Sequence, residues 1–337
     1  MTKTPEDFAP YIRILGRGPT NARHLTREEA REAFAGALSG KMADVQIGAL
    51  LLLLRYRGED AAELAGIVEA MRDSLAGNPA MPSPEEGYRD LIDWPSFAAG
   101  KSRELPWFLL SAKLLAENGH KVFMHGYNSH LEKGLATENC LPAIGETACR
   151  SLEDAREKLE VDNFAFLPLK TYSPRILEFL KLRRFLGVRS IINTAVRLIN
   201  PFRADTLFLG IFHPPYIRLN LEAARLLGQP RLGVVKGGAG EAERNPFKKI
   251  ILYALLMGEE EQTGWPAGLN PREVEKMPVT LDHLGRVWRG EVRDEKGLAT
   301  LLGTAAQALY LKGCAETPEQ AEKMARVYWQ AHLSQRQ

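Results

Sequence analysis

From about residue 88 onward, short apolar runs alternate with amphipathic stretches of helical length, and this pattern constrains the fold more than any other feature. It predicts strands at residues 91–94, 121–125, 164–167, 206–211, 231–236 and 278–281, and helices at 105–118, 152–159, 173–186 and 216–227. Such alternation is typical of an α/β domain with a mostly parallel sheet. The acidic run at 259–261 falls in no predicted element and is interpreted as a solvated loop.

The first 76 residues have a wholly helical pattern instead. Thr26 and Glu29 have the spacing of a capping box, which predicts a helix from there to about Leu38. Two more helices, opened by Asp44 and Asp60, would complete a small bundle. Glycines and prolines interrupt the pattern after residue 76. We therefore predict a helical domain at 1–76, a hinge at 77–87 and an α/β domain at 88–337.

Composition limits the classes of function. The 337 residues carry 44 basic and 42 acidic side chains, so the net charge of +2 does not by itself indicate a nucleic-acid-binding protein. Cys140, Cys149 and Cys314 lack CxxC spacing, which favours free thiols and disfavours a zinc site. The longest apolar run, 47–54, is far shorter than the roughly 20 residues of a membrane span. We expect a cytoplasmic protein with no membrane partner.

The loop after the first predicted strand lies where a phosphate-binding loop would be expected. Such loops normally use glycines, whose bare backbone approaches the phosphate oxygens. Here the loop reads WPSFAAGKS, and Pro95 offers no N–H. Gly100-Lys101-Ser102 is similar to the end of a P-loop, but Pro95 stands where its first glycine should be. Phosphate contact by Lys101 and a merely solvated lysine both stay open.

Two segments rich in arginine and free of acids are candidates for contact with a polyanion. The predicted phosphate-contacting residues are Arg13, Arg17, Arg23, Lys181, Arg183, Arg184, Arg189, Arg197 and Arg203. On a continuous helix over 173–186, Arg183 shares the apolar face, whereas Lys181 and Arg184 face solvent. If this helix packs against the N-terminal helices, the two segments join into one positive groove. Tyr11, Phe185 and Phe202 would either stack on bases or belong to the core.

An ordered series of motifs resembles the anthranilate phosphoribosyltransferase family, of glycosyltransferase family 3 type. These motifs are ILGRG at 14–18, LTREEA at 25–30, LRYRGE at 54–59, EAM at 69–71, LGVRSIIN at 186–193 and LINP at 198–201. The resemblance implies a small helical bundle plus a larger α/β domain of nucleoside phosphorylase and phosphoribosyltransferase type. It also implies a mid-chain helical excursion at about 173–188, and a cleft for phosphoribosyl diphosphate and an aromatic amine.

By the same resemblance, a vestigial substrate cleft would contain Ser96, Lys101, His125, Asn128 and Arg183. His125 and Asn128 match a family motif at the end of a central strand, and Arg183 matches an arginine that contacts the anthranilate carboxylate. The alternative for His125 is a hydrogen-bonded turn histidine, since the sequence supplies no evident carboxylate partner for it.

Three departures from the family set the functional expectation. The glycine-rich diphosphate loop is lost, and Val196-Arg197 replaces a Gly-Pro pair. The family's magnesium-binding Asp-Glu pair aligns with Ala242 and Glu243, which leaves one vestigial carboxylate, with Glu241 one residue out of place. We expect no cofactor, and Mg²⁺ only if the protein is an enzyme.

These departures resemble a YbiB-like subgroup of the family, which implies a homodimer that binds nucleic acid. The leading hypothesis is a non-specific or single-strand nucleic-acid-binding protein, for DNA or RNA, without catalytic residues. The alternative is a phosphoribosyltransferase or other glycosyltransferase acting on an unknown amine, and a third hypothesis is an adaptor for another protein. Dimerisation would use an apolar face of the N-terminal helices, for instance around Leu50 to Leu54, unless those side chains are core.

Overall fold

The computed structural model describes residues 4–18, 20–82, 87–97, 104–127 and 135–336. The predictions for Lys101 and Asn128 lie outside these residues. The N-terminal part begins with a 3₁₀ turn at Pro5–Phe8 and continues as a bundle of four helices. These are α1 (Ala9–Gly16), α2 (Arg27–Leu38), α3 (Asp44–Arg57) and α4 (Ala61–Leu75).

The helical domain is held by close helix contacts that the sequence specifies. The capping box at α2 forms, because the Thr26 hydroxyl accepts from the Glu29 amide at 3.2 Å and Glu29 accepts from the Thr26 amide at 2.9 Å. Helices α2 and α4 cross so closely that a Cβ on Gly66 would lie 2.1 Å from the Arg27 carbonyl oxygen. A glycine at this crossing therefore sets the distance between the two helices.

Beyond residue 88 the chain forms a seven-stranded sheet with helices on both sides, which confirms the predicted fold class. The strands are β1 (Leu91–Ser96), β2 (Lys121–Gly126), β3 (Phe164–Pro168), β4 (Thr206–Ile211), β5 (Arg231–Lys236), β6 (Ile250–Leu256) and β7 (Glu259–Trp265). Their order is β3-β2-β1-β4-β5-β6-β7, parallel from β3 to β5 and antiparallel at β6 and β7. Strands β1 to β4 are almost wholly buried, as helix-covered parallel strands require.

Eleven further helices connect or cover the strands in the described part of the chain. They are α5 (Trp107–Glu117), α6 (Thr137–Cys140), α7 (Leu152–Val161), α8 (Leu169–Tyr172), α9 (Pro174–Lys181), α10 (Arg183–Leu186), α11 (Ile192–Ala195), α12 (Pro215–Leu226), α13 (Leu281–Trp288), α14 (Glu295–Lys312) and α15 (Pro318–Ser334). None of the described helices is both long enough and apolar enough to cross a bilayer. All three cysteines are free thiols.

One strand assignment and one loop assignment from the sequence are wrong. Residues 278–281 are not a strand: Thr280 caps α13, and its hydroxyl accepts from the His283 amide at 3.2 Å. The acidic run Glu259-Glu260-Glu261 is not a loop but the start of β7, the outer strand of an antiparallel hairpin. It escaped prediction because β7 is an edge strand with mostly exposed, polar side chains.

The mid-chain helices pack back against the N-terminal bundle. The rings of Phe34 in α2 and Phe179 in α9 meet edge-on at 5.4 Å, and Arg175 donates to the Ala37 carbonyl oxygen at 3.2 Å. The single helix predicted over 173–186 is interrupted at Leu182, between α9 and α10. Leu182 itself keeps right-handed helical dihedrals, so α10 continues the path of α9.

Candidate functional site

A cleft of about 780 Å³ lies between the helical domain and the α/β domain. Its floor includes Phe97, directly after β1, and Ile211, the last residue of β4. Strands β1 and β4 are neighbours whose connections run to opposite sides of the sheet. Ligands of open α/β sheets bind in the crevice outside the carboxyl ends of such a strand pair. The cleft is therefore the candidate site.

The charge of this cleft is strongly positive. Among the described residues that line it, Glu59 is the one acid, whereas six are cations: Arg55, Lys181, Arg183, Arg184, Arg189 and Arg197. The carboxylate of Glu59 already has hydrogen-bond partners within the protein: it accepts from the Thr194 hydroxyl at 3.1 Å and from the Tyr216 hydroxyl at 3.4 Å. Arg55 lies 3.5 Å from the same carboxylate. The remaining positive charge is not neutralised from within the described cleft wall.

Four of these cations carry the anion-binding potential. Within the described ranges, Lys181, Arg183, Arg184 and Arg189 form no ion pair with an acidic side chain. Partial burial, reinforced by the charge of Arg183, lowers the pKa of Arg189. Like charges that crowd one another around an open cleft favour an anion between them.

Lys181 and Arg184 are exposed, as their positions on the helix predicted. Together with Arg183 and Leu180, they also line the open cleft. Arg183 does face the cleft, as its position on the apolar face indicated.

Arg197 lies at the inner end of the cleft and is half-buried. Its Nη1 donates to the carbonyl oxygens of Gly210 and Gly240, both at 2.6 Å. Desolvation lowers the pKa of this guanidinium, opposed by the nearby Glu241 carboxylate. Arg197 therefore fastens the turn after β5 to the end of β4, while part of its side chain still faces the cleft.

The cleft is also lined by aromatic side chains. Phe97, Tyr127, Phe212, His213 and Tyr216 all line it. Phe212 is exposed, and its ring meets that of His213 edge-on at 4.9 Å. A lining that combines cations with aromatic rings suits a ligand that joins anionic groups to a planar ring.

His125 lies in β2 and is completely buried, so it is core rather than cleft. Its Nε2 lies 3.1 Å from Asp93 Oδ1 and its Nδ1 lies 2.8 Å from the Tyr172 hydroxyl. Burial, reinforced by the Asp93 charge, raises the pKa of Tyr172, so the phenol is neutral. Asp93 thus supplies the carboxylate partner that sequence reasoning missed. Phe97, which packs edge-on against His125 at 5.4 Å, forms the cleft wall in its place.

The structure does not bring the remaining predicted arginines to the cleft. Arg13, Arg17, Arg23 and Arg203 do not line it. Arg23 forms a bidentate ion pair with Glu29, at 2.6 and 2.7 Å, and half-buried Arg203 lies in the field of Asp73 and Glu69. The single groove predicted from the two basic segments is thus not formed by the cleft.

The three aromatic side chains considered for base stacking differ in their exposure to solvent. Phe202 is core, and Tyr11 is half-buried and donates to Glu32 at 2.7 Å. Phe185 is 72% exposed, next to the cleft cations, and the Arg184 guanidinium lies 4.6 Å from its ring centre. Phe185 is therefore the one of these three rings available for stacking.

The residues aligned with the family's metal pair do not fit a magnesium site. Glu243 Oε2 accepts from the Phe108 amide at 3.0 Å, and Glu241 Oε1 accepts from the Ser96 hydroxyl at 3.0 Å. Ala242, between them, is fully buried, and its side chain has no oxygen that could bind a metal ion. Mg²⁺ requires near-octahedral oxygen coordination, and no cluster of three metal-binding side chains occurs among the described residues. Ser96 belongs to this buried network rather than to the cleft lining.

Sequence reasoning overlooked Arg55, Phe212 and Tyr216. Arg55 comes from α3, whereas Phe212 and Tyr216 follow β4, so only the folded chain brings them together. The signal that was available is the position of Phe212 and His213 directly after a buried parallel strand, where ligands bind.

Comparison with known proteins assigns both parts of the chain to one family. Residues 9–75 match the helical bundle domain of a glycosyl transferase family, and residues 108–330 match its a/b domain. YbiB, an uncharacterized protein of Escherichia coli, is 31% identical over 71% of this chain and 73% of its own length. The anthranilate phosphoribosyltransferase of Exiguobacterium sibiricum is 29% identical over 88% of this chain and 87% of its own.

The same fold occurs in a solved structure. Anthranilate phosphoribosyltransferase from Saccharomyces cerevisiae, in complex with PRPP and Mg, superposes with a TM-score of 0.74 and 16% identity, over 99% of this chain and 96% of that one. This likeness establishes the shared architecture, including a helical domain beside a mostly parallel sheet. The resemblance inferred from the sequence motifs is confirmed.

Proposed function

The chain belongs to the glycosyl transferase family that includes the anthranilate phosphoribosyltransferases and YbiB, and on that premise we propose that its interdomain cleft binds a phosphate-bearing ligand. The observation that carries the proposal is the set of unneutralised cations, Lys181, Arg183, Arg184 and Arg189, around an opening of about 780 Å³. Phosphate oxygens would accept charge-assisted hydrogen bonds from these side chains.

Phosphoribosyl diphosphate is the ligand that family membership supports best. The relatives named as transferases support a pentosyltransferase, and the cleft has the position at β1 and β4 that suits such a substrate. The cations would hold its phosphates, and the aromatic side chains of Phe97, Phe212 and Tyr216 would contact an amine acceptor. We derive no metal-dependent step, because Glu241 and Glu243 do not fit a magnesium site.

Calorimetric titration with phosphoribosyl diphosphate tests this candidate. We expect binding that Arg183→Glu weakens by at least tenfold, since one charge-assisted contact contributes about 1.5–3 kcal/mol. Arg326→Glu is the matched control, because Arg326 is exposed on α15 and does not line the cleft. The proposal would be contradicted if millimolar ligand produced no binding heat, or if both variants lost the same affinity.

Single-stranded nucleic acid, DNA or RNA, is a second candidate, and the exposure of Phe185 favours it. Its ring stands in solvent beside Arg183 and Arg184, so bases could stack where the backbone meets cations. The named relatives are transferases or uncharacterized, so this candidate depends on the cleft and its rim alone.

Fluorescence anisotropy with a labelled single-stranded oligonucleotide tests the second candidate. If the cations of the protein neutralise about four phosphates of the strand, the affinity for the strand should fall roughly 50-fold between 50 and 200 mM salt. Phe185→Ala should weaken binding by about tenfold without changing the salt slope, whereas Arg184→Glu should reduce that slope. Salt-independent binding would argue against this ligand.

We also propose that the protein is a homodimer formed through α3. Within the range expected from the sequence, 50–54, Leu50, Leu51 and Leu54 are buried in the helical core, whereas Leu52 is exposed. Leu52 forms one stripe at helical spacing with the exposed side chains of Val45 and Tyr56. Light scattering coupled to gel filtration should give twice the chain mass, and Leu52→Glu should give the monomer mass.

A further inference from the structure

The two acidic side chains of the turn after β5 hold the protein together instead of holding a ligand. This turn, residues 237–243, lies across the ends of β4 and β1. A Cβ on Gly210 of β4 would come within 1.9 Å of the Glu241 carbonyl carbon, and one on Gly237 within 1.6 Å of the Glu241 oxygen. The backbone of the turn therefore packs directly on β4, which only glycine at these two positions permits.

Glu243 provides the anionic partner for the start of α5. Its carboxylate accepts from the amide of Phe108, the second residue of this eleven-residue helix, and is almost fully buried. The first amides of a helix have no partner within the helix, and the helix dipole favours negative charge there. Glu243 thus fills the place where an external anion would otherwise be attracted.

Glu241 fastens the same turn to the end of β1. It accepts from the Ser96 hydroxyl, and the Thr137 hydroxyl lies 2.7 Å from Ser96 Oγ. Since the Ser96 proton points to Glu241, Thr137 donates to Ser96. One buried carboxylate therefore joins the turn to each of two neighbouring elements: Glu241 joins it to β1, and Glu243 joins it to α5.

We infer that Glu241 and Glu243 are internal fasteners that close the crevice beside the cleft, and that the protein binds its phosphate-bearing ligand without a divalent metal. The second half of this inference rests on the proposed function, and the first half does not. Among the described residues, the cations of the cleft then hold the ligand, and Arg197 is bonded to Gly240 of the same turn.

The first experiment measures what Glu243 does in the protein without ligand. Glu243→Gln should lower Tm by about 2–4 °C, as expected for the loss of a charged helix cap in a chain of this size. Glu157→Gln is the control, because Glu157 is an exposed residue of α7. If Glu243→Gln leaves Tm unchanged or raises it, as the relief of repulsion in an empty metal site would, the inference is wrong.

The second experiment uses Mn²⁺ as a paramagnetic probe of the wild-type protein. Titration of the protein with Mn²⁺, followed by electron paramagnetic resonance, should show no protein-bound Mn²⁺. When phosphoribosyl diphosphate is also present, the amount of bound Mn²⁺ should equal the amount that phosphoribosyl diphosphate binds without the protein. A Mn²⁺ site that requires the protein and is lost in Glu243→Gln would overturn the inference. Absence of any ligand binding would instead count against the proposed function, since the Tm and metal-alone measurements stand without it.

Discussion

Arg55 Nη1 donates a hydrogen bond to the Tyr216 hydroxyl at 2.6 Å, and this bond joins the helical domain to the α/β domain at the edge of the cleft. Glu59, one turn beyond Arg55, accepts from the same hydroxyl and from Thr194. Burial raises the pKa of Glu59, and its bonds to Thr194, Arg55 and Tyr216 oppose that rise. A polar contact between the two domains therefore forms part of the cleft lining.

We predict that Tyr216→Phe lowers the free energy of unfolding by about 1 kcal/mol, because it removes one hydroxyl and leaves the ring in place. Urea unfolding followed by fluorescence measures this change. Tyr253→Phe is the control, because the half-buried Tyr253 of β6 forms no side-chain hydrogen bond with the other described residues, and the change should alter stability by less than about 0.5 kcal/mol. Equal effects of the two substitutions would mean that the contact contributes nothing.

Arg183→Met should separate ligand affinity from stability. It removes the like charge that lowers the pKa of Arg189, so the unfolding free energy should stay the same or rise slightly, whereas affinity for phosphate ligands should fall. Chemical unfolding and ligand titration on the same preparation check both parts. A variant that loses stability and affinity together would indicate a structural role for Arg183.

Arg72 connects the helical domain to the loop before β4 from a fully buried position. It donates from Nε to the Ile199 carbonyl oxygen at 2.7 Å and from Nη2 to that of Leu198 at 3.0 Å. Burial, reinforced by the charge of Arg203, lowers its pKa to about 9.

Arg72→Ala should therefore destabilise the protein by about 3 kcal/mol, since two buried carbonyl oxygens lose their donors. Arg72→Lys should recover little of this loss, because an ammonium lacks the planar fork that reaches both oxygens. Unfolding curves give both values. Arg31→Ala, which breaks an exposed ion pair with Asp73, should cost less than about 1 kcal/mol.

The stability of the protein should fall in mild acid because of His120. Burial, reinforced by the charge of Lys312, lowers the pKa of His120 to about 4. The neutral ring accepts from Lys312 at Nδ1, at 3.3 Å, and lies 3.0 Å from the Tyr328 hydroxyl at Nε2. Between a pH of about 6.5 and about 4, the unfolded chain binds a proton that the folded chain does not, so stability decreases as the pH is lowered.

Urea unfolding at a series of pH values measures this dependence. His120→Gln should flatten the curve between a pH of about 6.5 and about 4, whereas His213→Gln, at an exposed residue, should leave it as in the wild type. Parallel curves for the wild type and His120→Gln would show that other groups cause the loss.

The sequence predicted those parts of the fold that depend on local periodicity. Five buried parallel strands and the capping box at Thr26 appear as expected, because each is encoded within a few neighbouring residues. The hairpin of β6 and β7 was missed, because the acidic side chains of β7 suggest solvent exposure and its pairing with apolar β6 depends on a distant core.

Site prediction failed where it depended on pairs distant in sequence. Asp93 and His125 are 32 residues apart and meet through the parallel pairing of β1 with β2, which no spacing rule encodes. Arg23 was counted as an available cation, although Glu29 of the neighbouring capping box neutralises it. The cluster from 181 to 189 was found because acids are absent from that segment, and this property can be read from the sequence.

The outer strand β7 has a consequence for how copies of this protein can meet. Its Glu259 and Glu260 are exposed on the unpaired edge of the sheet, opposite Leu256 and Leu255 of β6. Arg225 pairs with Glu260 at 2.7 Å, whereas Glu259 keeps an exposed carboxylate at this border. A second molecule that added its own β7 edge to edge would bring acidic side chains together, which disfavours such pairing. The acidic border of the sheet thus works against aggregation through strand addition.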